Sequence, residues 1–140
     1  MAHRINKRDA KDIAEMVSEV LKINMLFLSH IPKNTLVKCL NDPYLLGFLF
    51  GVVAKASFNI GIKNVETQLL ATKYTLRKIV GYLSGSVLFF DLRNQHKYDD
   101  NEFYKGRIHG FESWNKFCSG DDSAIMEWAQ LIVNVKNNIL

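Results

Sequence analysis

Glu102, His109 and Glu112 stand seven and three residues apart, a spacing that puts them on one face of a helix. His96, Asp99 and Asp100 lie just upstream. Carboxylates and imidazoles gathered in this way could bind a metal ion or move a proton. A di-metal site in a helical bundle also requires a matching Glu-x-x-His on a facing helix, and the chain has none. None of the four histidines, His3, His30, His96 and His109, sits in a CxxC, HxxxH or HExxH pattern. The face is therefore read as solvated polar surface, with no metal and no cofactor expected. A small-molecule or metal enzyme built around His96, Asp99, Glu102, His109 and Glu112 stays as an alternative.

Nucleophilic chemistry has little more to draw on. A reactive cysteine sits at a helix N-terminus beside a histidine. Cys118 falls at the far end of its helix, next to Ser119-Gly120. His109 is nine residues back on the same helix, about 13 Å along the axis at about 1.5 Å per residue. No GxSxG, no glycine-rich phosphate loop and no paired acid and base appear. The chain reads as non-catalytic.

Two sets of residues could instead bind a partner. Tyr98, Tyr104, Arg107, Ile108, His109 and Glu112 combine the tyrosine and arginine enriched at binding hot spots with charge. The other set is basic: Arg4, Lys7 and Arg8 at the N-terminus, and Lys73, Arg77 and Lys78 beside Tyr74. Cations around an aromatic are the composition of a phosphate-contacting face, although Asp9 and Asp12 interrupt the first cluster. The net charge of +4 is uneven: residues 1–80 hold twelve Lys and Arg against six Asp and Glu, and residues 81–140 hold six against eight. The leading expectation is a helical protein–protein interaction module, self-associating and with a protein partner. A nucleic-acid-associated protein using the basic face is the alternative.

These residues need elements to hold them. A chain of 140 residues with 48% hydrophobic and 23% charged content is one ordered domain. Only two prolines and eight glycines interrupt it, which suits long helices better than many turns. Ile13, Met16, Val17, Val20, Leu21 and Leu28 make one stripe of a first helix, from an Asp9 cap to about Ser29. Its all-apolar end, Ile23 to Phe27, is expected to be buried or in an interface. A short helix follows from Asn34 to Leu40. Asp42-Pro43 then starts a second long helix that Gly61 closes. Val65, Leu69, Thr72, Leu76, Val80, Leu83, Val87 and Phe90 keep phase through Ser84-Gly85-Ser86, so a third helix is expected to continue to Leu92. Residues 93–101 read as a loop. A fourth helix runs to Ser119-Gly120, and a last one is capped by Asp121 or Asp122.

The expected fold is thus all-α, a single domain over 1–140. It is a bundle of about five helices: the first, plus two αα-hairpins at 42–92 and 101–139. YLLGFLFGVVAKASFNIG (44–61) and FYKGRIHGFESWNKFCSG (103–120) match at an offset of 59 in Gly47/Gly106, Gly51/Gly110, Phe58/Phe117 and Gly61/Gly120. Glycines four apart share a helix face and admit a neighbouring backbone, with Gly81 and Gly85 read as a third such pair. Residues 44–62 carry one charge, Lys55, and are long enough to span a bilayer; they read instead as a buried core helix. The N-terminus has no apolar run of a signal peptide. Cys39 and Cys118 read as reduced, buried thiols. Together these give a cytoplasmic setting with no membrane partner.

Overall fold

The computed structural model describes residues 5–139. Among these the chain is all-helical, with seven α-helices: α1 (Lys7–Asn24), α2 (Lys33–Leu40), α3 (Pro43–Asn59), α4 (Val65–Val80), α5 (Tyr82–Lys97), α6 (Asn101–Cys118) and α7 (Ser123–Ile139). A single 3₁₀ turn, Leu26–Leu28, follows α1. One hydrophobic core draws on all seven helices.

α3 is the axis of that core. Asp42 caps it by accepting from the Leu45 N–H at 3.1 Å, Pro43 occupies its first turn, and its buried residues run from Leu45 to Ser57 with only Lys55 half-buried. Gly61, at φ +85°, closes it in the left-handed region. Its main partner is α6, capped by Asp100. A methyl on Gly47 would strike the Phe103 carbonyl and come within 2.8 Å of its carbon; one on Gly51 would strike the Arg107 carbonyl. In the reverse sense, a methyl on Gly106 would strike the Tyr44 carbonyl, and one on Gly110 the Phe48 carbonyl. Numbers rise together along both helices, and Asn59 meets Cys118 at their ends, so the pair is parallel. At the offset of 59, Tyr44 corresponds to Phe103 and Phe48 to Arg107. Each close approach is therefore repeated with the two helices exchanged, a local two-fold relation.

The two matched stretches thus pack on each other. α3 also touches α4, and α6 touches α7, but α4 gives most of its surface to α1 and α5. The expected single helix over 64–92 is two helices. Gly81 has φ +96°, a conformation that side chains rarely adopt, and there the chain reverses so that α5 folds back on α4. A methyl on Gly85 would come within 2.6 Å of the Arg77 backbone. Gly81 and Gly85 are therefore a bend and the close approach that follows it, not a pair on one face. This division, together with the short α2, takes the count from about five to seven.

Other boundaries move for local reasons. Asn6, not Asp9, caps α1, accepting from the Asp9 N–H at 3.0 Å. α1 ends at Asn24, whose side-chain amide donates back to the Val20 carbonyl, and Ile23 and Leu26 beyond its stripe are exposed. The expected loop at 93–101 is helical as far as Lys97 because Leu92 anchors it in the core and Gln95 and His96 are half-buried. Cys39 is buried, and burial pushes its thiol up, but Cys118 is exposed. No single helix among the described residues is long and apolar enough to cross a membrane; α2 and α3 pass together on length and composition but are bent by 83°.

Candidate partner-binding groove on α6

α6 carries chemistry on three sides because its glycine face is given to α3. On one side His109 is turned inward. Its Nδ1 shares a hydrogen bond of 2.7 Å with the Tyr44 hydroxyl, and its Nε2 meets the Glu127 carboxylate. Burial, followed by the Glu127 and Glu102 charges, pushes the Tyr44 phenol up, so it keeps its proton. The Ser113 hydroxyl donates to the other Glu127 oxygen at 3.5 Å. The imidazole meets the Phe48 ring edge-on at 5.0 Å, and Phe48 stacks on Trp128. The result is a polar clasp across α3, α6 and α7.

On another side, His96 of α5 lies edge-on to Phe50 at 5.4 Å and to Phe103 at 6.2 Å. Its basicity is lowered, first by burial and then by the Arg107 charge. Phe48 and Phe50 are two positions apart, about 200° around a helix. His109 and His96 therefore sit on opposite sides of α3, and the residues expected to share a pocket are dispersed. No group of three or more His, Cys, Asp and Glu able to hold a metal exists among the described residues.

The outer side of α6 is a groove of about 280 Å³ lined by Tyr104, Arg107, Ile108, Phe111 and Glu112. Four of the six residues expected to bind a partner are brought together there. His109 belongs instead to the clasp, and Tyr98 lies at the end of α5 with Lys97 over its ring. Arg107 is held with its guanidinium 5.2 Å from the Phe50 ring. No family model matches the chain, and neither a curated protein nor a solved structure matches it.

The basic residues are arranged differently. Lys11 of α1 meets Tyr74, Arg77 and Lys78 of α4 in a cleft of about 340 Å³ that also contains Glu15. Lys7 and Arg8 are exposed on α1, and Arg4 lies outside the described residues. Lys73 is occupied over the Phe89 ring, and Arg77 lies 3.9 Å over the Tyr82 ring and donates to Ser86 at 3.1 Å. Sequence reasoning missed Glu127, eighteen residues from His109 on another helix. It also missed the turn at Gly81 that leaves Leu83, Val87 and Phe90 exposed at 79%, 62% and 66%.

Proposed function

We propose that the chain is a non-catalytic helical interaction module that docks a protein partner in the α6 groove. The supporting observation is the convergence of Tyr104, Arg107, Ile108 and Glu112 on one groove with Phe111, aromatic and arginine types that carry binding energy when desolvated. The two Gly-x-x-x-Gly stretches supply the scaffold: backbone against backbone leaves α6 little freedom to slide, so the groove is preformed. A cytoplasmic setting belongs to this reading, and the two free cysteines are compatible with it. The test is retention of a stoichiometric protein by the tagged chain, with and without nuclease. Capture that survives nuclease and is lost in both Tyr104→Ala and Arg107→Glu supports the module. Capture abolished by nuclease moves the function to the Lys11–Tyr74–Arg77–Lys78 cleft.

A second reading, self-association, is favoured by α5. Tyr82, Leu83, Val87 and Phe90 are each at least 62% exposed and form one stripe. The two aromatics alone, at roughly 150–250 Å² each, supply a substantial share of the roughly 800 Å² that each partner buries in a stable interface. A second copy paired about a two-fold axis matches the same stripe to itself and needs no other complementary surface.

A further inference from the structure

The docking reading leaves open what kind of partner fits the α6 groove, and the charges beside the groove narrow the choice. Lys55 of α3 lies 5.2 Å from the Phe111 ring, which forms one wall, and 5.5 Å from the Phe58 ring. Lys63 lies 5.2 Å from the other neighbour of Lys55, the Phe58 ring. Arg107 lines the groove while resting on Phe50. These three cations are held by ring faces and by no carboxylate among the described residues. On α6 itself, Glu102 is paired with Lys105 at 3.6 Å. Among the described residues that line the groove, Glu112 is the acid, and it makes no ion pair. A cation over an aromatic face keeps its charge and loses conformational freedom, so much of the ordering cost of binding an anion is already met.

Resting on the docking reading above, we propose that the groove takes an acidic–apolar peptide segment. Its carboxylate meets Arg107 and Lys55, and an adjacent aromatic or aliphatic side chain enters between Tyr104, Ile108 and Phe111. The volume suits one or two side chains, smaller than the usual small-molecule pocket of about 300–1,000 Å³. Single-stranded nucleic acid is the poorer match, because it stacks bases on open ring faces, whereas Phe58 and Phe111 already carry lysines.

The test is selection from a short random-peptide display library on the immobilised chain. Enriched peptides are then measured on wild type, Arg107→Glu, Lys55→Gln and Tyr104→Ala, each shown by circular dichroism to keep its helix content. The expected result is Asp or Glu next to Phe, Trp or Leu in the enriched peptides. Affinity falls about tenfold or more in Arg107→Glu, falls less in Lys55→Gln, and weakens with rising salt. Enriched peptides without acids that still need Tyr104 overturn the charge assignment and leave the docking reading standing. Peptides indifferent to all three substitutions, or no enrichment, overturn both. Tighter Arg107-dependent binding of a labelled oligo-dT than of any peptide overturns the proposal in favour of nucleic acid.

Discussion

At the scale of single residues, two histidines in one small domain have opposite tasks. His109 links three helices through both ring nitrogens. Its side chain and that of Glu127 are 28% and 42% exposed, so solvent screens the pair and its loss is modest. Tyr44→Phe removes one hydrogen bond and should cost about 1 kcal/mol. His109→Ala, which also strips the ring from Phe48, should cost about 2 kcal/mol. Chemical denaturation of both variants checks the order. His96 has no such partner. Its burial and the Arg107 charge outweigh the nearby Asp99 and Glu66 and favour the neutral ring. The unfolded chain therefore takes up a proton before the native one does. The His96 contribution to stability should be constant above the ordinary value of 6.5 and fall as pH drops from there to the depressed native value. Melting temperatures over that range should show the slope in wild type and a shallower one in His96→Phe.

The helices themselves turn on where glycine is required and why. Gly110→Ala drives a methyl into the Phe48 backbone. Its helix-propensity gain of about 1 kcal/mol is outweighed by overpacking at a backbone that cannot yield, and a net loss of about 3 kcal/mol is expected. Gly61→Ala has open space around it but φ +85°, so its cost is conformational strain alone, about 1 kcal/mol. Equal losses at the two sites in equilibrium unfolding would contradict the steric account of the crossing. These boundaries also explain how much could be read in advance. α3 and α6 were legible because Asp42-Pro43, Gly61 and Gly120 mark their ends with chemistry that acts locally. The turn at Gly81 was not, because the apolar phase from Leu76 through Phe90 is the same whether the helix runs on or folds back; only contact with α4 decides it. The groove was legible in its types, Tyr104, Arg107, Ile108 and Glu112, which share one helix. The clasp was not, because Glu127 reaches His109 through tertiary packing alone.

For the whole molecule, the stripe on α5 bears on association. Val87→Glu places a charge at the centre of the most exposed apolar residues without touching the core. Its effect on folding stability should stay within about 0.5 kcal/mol. Sedimentation equilibrium should show concentration-dependent mass in wild type and a monomer in the variant. Wild type that stays monomeric at high concentration would remove the second-copy reading and leave the groove proposal unaffected.

The parallel crossing of α3 and α6 also sets a timetable. Two parallel helices of one chain must be joined by a return path, and here α4 and α5 form it. The glycine contacts accordingly join residues more than fifty positions apart, and loop closure over that span precedes any reward from the contact. During synthesis, α3 emerges long before its partner. Until α6 has left the ribosome, the most apolar helix of the protein has only α1, α4 and α5 to close against and lacks its main packing partner. The nascent chain is then most exposed to aggregation and most in need of a chaperone, and refolding should be slower than in helical bundles whose contacts are local.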